Sequence, residues 1–276
     1  MRISEILKKC LRNKNFIVGA AMVGLMVLVM VVGFFYMPYD PDAMDTPNKL
    51  QFFSAAHPLG TDQFGRDILS RIMEGTRVSF LVGALTVVFG LLVGGFIGSV
   101  AGYYGGKLDD VIMKLIDTQM AFPGVLLALM LIAVFGNSIQ NLIFALGIMS
   151  IPRFARITRS GFIKYRDAEF IKAARSRGAG DGRIIFRHIL PNIVPELIVT
   201  SSLGFAGAVM SEAGLSYLGL GIKPPTPSFG RMLSEAQGEI LQAWWYVLVP
   251  AVAITLLVMG FNLIGDALQE VTQHGR

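Results

Sequence analysis

The stretch EFIKAARSRGAGDGRIIFRHILP, residues 169–191, decides the reading of this chain, because it is the longest strongly charged run in a sequence otherwise built of apolar blocks. Its spacing predicts two short helices around a glycine turn: residues 168–177, then Gly178-Ala179-Gly180-Asp181-Gly182, then residues 183–190. Gly178 suits the left-handed position just past a helix end, and Asp181 suits an acceptor for the free N–H groups that open the next helix. Pro191 is expected to stop the second helix at Leu190. In the first helix Phe170, Ala173, Ala174 and Arg177 fall at three- and four-residue spacings, which sets a small apolar patch beside a basic face of Lys172 and Arg175. The second helix repeats the arrangement, with Ile185 and Ile189 one turn apart and Arg183 and Arg187 one turn apart. This pattern fits a docking element for another protein, and equally a basic loop lying on anionic lipid.

Outward from this loop the chain is too apolar for a soluble domain. Of its 276 residues, 53% are hydrophobic and only 16% charged, the balance of an integral membrane protein. The net charge of +5 reflects membrane topology rather than nucleic-acid binding, because the basic residues cluster at the ends of apolar runs. Cys10 is the single cysteine, which excludes an internal disulfide and any cysteine-based metal or redox site.

Residues 1–15 carry Arg2, Lys8, Lys9, Arg12 and Lys14 and lead into an apolar run over 16–37, too long for a cleaved signal, so a retained first span is expected. Residues 38–77 form a polar segment in which Arg66-Asp67 opens a short amphipathic helix using Ile68, Leu69 and Ile72. A second span over 78–104 holds glycines at four-residue steps, Gly90, Gly94, Gly98, Gly102 and Gly106, which predicts a helix packed closely inside a bundle.

Residues 107–114 read as a short inner loop before a third span from about residue 115. Asp117 lies near its start and Pro123 kinks it one to two turns deeper. Asp117 is open to two readings, an ion site or an interfacial carboxylate paired with a nearby arginine. A fourth span follows over about 139–157, a fifth over about 193–218 and a sixth over 244–268. Glu212 is the most deeply placed acid, either hydrogen-bonded to a neighbouring helix or facing a translocation path, and Asp266 lies near the inner surface. Six spans put both termini inside, and the 24 lysines and arginines then divide 18 inside to 6 outside.

The alanine pair Ala173-Ala174, Gly178 four residues after Ala174, and Leu190-Pro191 resemble the EAA loop of ABC importer permeases. Lys172 stands where that loop usually has glutamate and His188 where it usually has isoleucine. Both departures are similar to the dipeptide, oligopeptide and nickel branch, in which an acidic residue, here Glu169, sits three positions before Lys172. LGTDQFGRD (59–67), EAGLSYLGLGIKPPTPSFGRML (212–233) and FNLIGDAL (261–268) resemble further motifs of the same branch.

The resemblance covers about residues 8–266 and implies an all-α membrane protein with six transmembrane helices and the type I ABC importer permease fold. It divides into a first span with its extracytoplasmic segment (1–75) and a five-helix core (76–271) carrying the coupling loop at 168–191. It implies the C-type permease subunit of a bacterial di- or oligopeptide importer in the cytoplasmic membrane. The partners implied are a second, homologous permease chain, two ATPase subunits that bind the ATP, an extracytoplasmic binding protein and membrane lipid. It also implies that Glu169, Ala173, Ala174, Gly178, Arg187, His188 and Pro191 serve ATPase coupling, and that Gly60, Thr61, Asp62, Gly65, Arg66 and Asp67 form an extracytoplasmic motif.

The chain lacks the G-x-x-x-x-G-K-[ST] phosphate loop, and His57, His188 and His274 are scattered without a metal-ligand pattern, so neither ATP hydrolysis nor metal-dependent catalysis is expected of it. A nickel or metal-chelate permease is the alternative within the family. A stand-alone secondary transporter or channel is the alternative outside it, and would place ionisable groups at the midplane.

Overall fold

A computed structural model describes residues 9–273, and among these the regular structure is helical, joined by loops, with one isolated β-bridge between Thr61 and Asp67. Arg2, Lys8, His274 and Arg276, counted above for topology and metal binding, lie outside the described residues.

The first helix, α1 (Lys14–Phe35), is capped by Asn13, whose side chain accepts from the N–H groups of Asn15 and Phe16. Its 22 residues span roughly 33 Å, the thickness of a bilayer core. It lies along the last helix, α9 (Trp244–Gln273), where a Cβ on Gly19 would stand 2.7 Å from the carbonyl oxygen of Gly260. Asn13 Nδ2 also donates to Glu270 Oε2 at 2.8 Å, so the start of α1 and the end of α9 share one face of the protein.

The expected amphipathic helix and second span are a single helix, α2 (Ile68–Tyr104), capped by Asp67 accepting from the Ser70 N–H. The sequence between them holds no proline and no turn, so hydrogen bonding continues unbroken. At 37 residues α2 is longer than a bilayer needs, and its first turns bury Ile68 and Ile72 against protein.

After Gly105 and Gly106, both at positive φ, the expected inner loop at 107–114 is itself helical. It belongs to α3 (Gly106–Ala121), which meets α4 (Gly124–Phe135) at 88°. Pro123 therefore breaks this span rather than kinking it. Phe122 ahead of the proline is extended, as the proline ring requires, and no turn of helix bridges the two pieces.

Helix α5 (Ile139–Arg166) begins at Ser138, which caps the Asn141 N–H, and runs through Pro152 well past the expected end near 157. The charged loop region follows as α6 (Glu169–Ser176) and α7 (Asp181–Tyr217), then α8 (Phe229–Ala236) and α9. Among the described residues four helices, α1, α2, α7 and α9, are long and apolar enough to cross a membrane, and the bent pair α3–α4 makes a fifth if taken as one span. The fourth expected span, over about 139–157, lies in α5, which is 28 residues long but charged over its second half.

The glycine ladder sits on the α2–α5 contact. Gly90, Gly94, Gly98 and Gly102 are all buried, and a Cβ at each would strike α5: at Ser150 for Gly90, the Ile151 carbonyl (2.5 Å) for Gly94, the Ala155 carbonyl for Gly98 and the Arg159 carbonyl (2.7 Å) for Gly102. Gly106 is not a rung, since it already belongs to α3 with open space around it. The perimeter is apolar and exposed, with Leu92, Phe96, Met130 and Val134 pointing outward, a surface suited to lipid or to another apolar subunit.

Candidate functional site

Loop 168–191 is held from one side and open on the other. Helix α6 ends with Gly178 at φ +82°, and the Gly178 N–H bonds to Arg175 O (2.9 Å) while the Ala179 N–H reaches Ala174 O (3.1 Å), a paired closure that needs a left-handed residue. Ile171, Ile184 and Ile189 are fully buried and join Tyr103, Phe162 and Ile193 in a small core. Burial of each isoleucine is worth roughly 1.5–3 kcal/mol, enough to hold so short a loop in place. Facing away from this core are Phe170, Ala173, Arg177, Phe186 and Arg187, with Phe186 71% exposed. Ala174 and His188 are half-buried and Pro191 is exposed. Glu169 pairs with Lys172 at 2.9 Å on the open surface.

Two expectations for this loop are overturned. Pro191 does not end a helix, because α7 runs continuously from Asp181 to Tyr217 through a π-helical stretch at Ile184–Ile189. There the Leu190 N–H bonds to Ile185 O, five residues back, and the wider turn carries the chain past the missing proline N–H. The same widening explains why Ile184 and Ile189 are buried while Ile185 is only half-buried. Asp181 does not cap the helix it opens. Its Oδ1 accepts from the Tyr103 hydroxyl at 2.5 Å instead.

At the opposite face LGTDQFGRD folds into a buried charge cluster. Gly65 takes φ +77° and its missing side chain admits the Asp45 backbone, while Thr61 Oγ1 donates to Asn48 O and accepts from the Gln51 N–H. Gly60 likewise takes a positive φ, against Trp245. Asp62 accepts from the N–H groups of Phe64 and Arg66 and pairs with Arg66 Nε at 2.6 Å. Arg66 then donates to Glu235 Oε2 at 2.7 Å, a residue of α8 far along the chain. Glu235 also receives Arg231 Nε (2.8 Å) and the Tyr246 hydroxyl (3.3 Å), and Arg71 Nη2 stands 3.7 Å away. Asp67 accepts from Ser70 and meets His57 Nδ1 at 2.9 Å.

Burial would lower the Arg66 pKa, but the charges of Asp62 and Glu235 outweigh it and hold the guanidinium above its ordinary value. Burial would likewise raise Glu235, yet Arg231, Arg66 and Arg71 together hold it below the usual carboxylate range. The cluster thus locks residues 40–71 onto α8 and the start of α9. Sequence reading found the first half and missed Arg71, Arg231, Glu235 and Tyr246. The four-residue spacing of Arg231 and Glu235 was the available signal.

The remaining acids have separate surroundings. Asp117 pairs with Arg156 at 2.5 Å, both exposed, and Asp109 forms a two-pronged pair with Arg159 at 2.5 and 2.6 Å. Asp266 is exposed on α9. Glu212 is fully buried: Ser216 Oγ donates to its Oε1 at 2.6 Å, and the hydroxyls of Ser79 on α2 and Ser228 at the start of α8 lie beside it. An amide keeps an acceptor and similar volume there, whereas a leucine removes the acceptor of the buried Ser216 hydroxyl and puts a branched apolar group among the three serines. Glu212→Gln is expected to preserve most transport activity and complex yield, and Glu212→Leu to lower the yield. A well-assembled but inactive Gln variant would show instead that the charge itself is used.

Comparison with known proteins fits this architecture. A family model described as the binding-protein-dependent transport system inner membrane component matches residues 90–275, and one described as the N-terminal TM domain of oligopeptide transport permease C matches residues 2–54. The dipeptide transport system permease protein DppC of Escherichia coli is 43% identical over 265 residues, covering 94% of this chain and 88% of that protein. DppC of Alkalihalophilus pseudofirmus is 42% identical over 266 residues (96% and 88%), and the glutathione transport system permease protein GsiD of Pectobacterium atrosepticum 39% over 267 residues (96% and 89%). Among solved structures, an inward-facing conformation of the MetNI methionine ABC transporter shares the fold, with a TM-score of 0.61 at 19% identity over 73% of this chain and 96% of that one. This chain therefore belongs to the family of binding-protein-dependent transport system inner membrane components, as a multi-pass membrane protein with the type I ABC importer permease fold.

Proposed function

We propose that the chain is one of two permease subunits of an importer for di- or oligopeptides, driven by ATP bound and hydrolysed on separate ATPase subunits. The observation that carries the reading is the two-sided loop 168–191, anchored inward by three isoleucines and presenting Phe170, Ala173, Phe186 and Arg187 outward. Such a surface suits a groove on a soluble partner. The names of the relatives, dipeptide and glutathione permeases, support a peptide cargo. In this reading the loop and both termini lie in the cytoplasm. The excess of lysine and arginine on that side supports the orientation, as does the Asn13–Glu270 bond that joins the two ends at one face. The buried charge cluster then lies on the side where an extracytoplasmic binding protein delivers solute.

The test is reconstitution of the chain with a second permease, two ATPase subunits and a binding protein in liposomes, followed by uptake of a labelled dipeptide. ATP-dependent uptake is expected. Gly178→Arg is expected to abolish it. The surroundings of Gly178 are empty, so the chain inserts normally, but the substitution strains a left-handed position by ~1–2 kcal/mol and adds a long cation at the docking surface. Fewer ATPase subunits should copurify with this variant. Normal uptake by it would remove the coupling role from the loop.

A further inference from the structure

Tyr103 is the last residue but one of the ladder helix α2, and its hydroxyl is held by both halves of loop 168–191. It donates to Asp181 Oδ1, at the first residue of α7, at 2.5 Å. It accepts from Arg175 Nη2 of α6 at 3.2 Å, with the Arg175 guanidinium 5.7 Å from the centre of the tyrosine ring. The ring itself is buried with Phe162, Ile171 and Ile184. One residue earlier Gly102 seats against the Arg159 carbonyl and the Phe162 Cβ, and Arg166 Nη1 donates to the Gly102 carbonyl at 3.2 Å. The end of α2 is therefore locked to α5 on one side and hydrogen-bonded to the loop on the other.

A displaced loop meets the bundle at its two chain ends, the short non-helical link Asp167-Ala168 from α5 and the π-helical turn at Ile184–Ile189 into α7, and in the packing of Ile171, Ile184 and Ile189 against Phe162 and the Tyr103 ring. The Tyr103 hydroxyl adds a directional polar link from both halves of the loop to the end of α2. Because Gly94, Gly98 and Gly102 of α2 seat against backbone carbonyls of α5, with Gly90 against Ser150, the two helices move as one body, and whatever shifts Tyr103 shifts both.

We propose that Tyr103 is a positioning residue that carries displacement of loop 168–191 to the α2–α5 pair, so that ATP hydrolysis and solute movement stay linked. The proposal rests on the permease reading above. Without the hydroxyl the loop is held to this pair only by its chain links and the isoleucine packing, so it follows its ATPase partner with less movement of α2 and α5, and hydrolysis then proceeds with less transport.

The experiment uses the full complex in proteoliposomes and reads ATP hydrolysed per labelled dipeptide taken up. Tyr103→Phe keeps the buried ring and removes only the hydroxyl. Hydrolysis is expected to stay near the wild-type rate while uptake falls about tenfold, the factor by which losing one charge-assisted hydrogen bond shifts a two-position equilibrium. Asp181→Asn retains an acceptor oxygen and should stay within about twofold of wild type. Asp181→Ala should match Tyr103→Phe, and the double variant should be no worse than either single one. An unchanged ratio in Tyr103→Phe overturns the proposal. So does a parallel fall of hydrolysis and uptake with lower complex yield, which would make Tyr103 a packing residue only. A wild-type complex that takes up no dipeptide removes the permease reading and this proposal with it.

Discussion

Gly98→Leu is expected to prevent assembly of a stable complex. A Cβ at this position would overlap the carbonyl oxygen of Ala155, a backbone atom of the facing helix that cannot swing aside as a side chain can. Relief requires α2 and α5 to separate, and separation would also open the contacts of Gly94 with the Ile151 carbonyl and of Gly102 with the Arg159 carbonyl. Overpacking of a core typically costs ~1–3 kcal/mol, and a backbone clash shared among several rungs belongs at or above the upper end. Gly94→Leu should behave alike. Gly24 on α1 has open space around it, so Gly24→Leu serves as the control and should leave assembly unchanged. Yield of purified complex and its thermal midpoint in detergent are the readouts. Equal stability of Gly98→Leu and Gly24→Leu would mean that the ladder face does not pack against α5 in the assembled protein.

Glu235→Gln should destabilise the opposite face almost as severely. Glu235 is the acceptor on which Arg66 and Arg231 converge, with Arg71 3.7 Å away, and all four side chains are wholly or largely buried. Removing one partner from a buried ionic cluster leaves the others uncompensated and costs ~3–5 kcal/mol. The pH dependence follows from the depressed Glu235 pKa. Its stabilisation is fully present above the ordinary glutamate pKa of about 4.3 and is lost as pH falls through the lower folded value. The difference in thermal midpoint between wild type and Glu235→Gln should therefore be large at neutral pH and shrink on acidification below about pH 4. A difference that stays constant across that range would show that the carboxylate is not the ionised centre of the cluster.

Much of the architecture was legible from local chemistry. The four-residue period of Gly90, Gly94, Gly98 and Gly102 puts four missing side chains on one helix face, and helix geometry alone then requires a close neighbour. Gly178 was legible for the same kind of reason, since the closure of a helix on a left-handed residue involves only the five or six residues around it. Asp117 next to an arginine was one of two open readings, and the ion pair with Arg156 is what the fold contains. Where expectation failed, a local rule met a longer-range constraint. Pro191 stops an isolated helix, but here Ile184 and Ile189 are buried in the core beside Tyr103 and Phe162, and the backbone widens into a π-turn rather than surrender that burial.

The sequence by itself determined that this is a helical membrane protein, which stretches are apolar, where the glycine face lies and where the charged loop turns, because each of these depends on residues within a turn or two of one another. Only the tertiary structure decided which distant groups meet. Arg66 and Glu235 are 169 residues apart, and Tyr103 and Asp181 are 78 apart. Nothing in the spacing of either pair marks them as partners. Side chains so far apart in sequence come within hydrogen-bond reach only after every intervening helix has been packed, and the choice among possible charge partners is made by the cost of burying any of them alone.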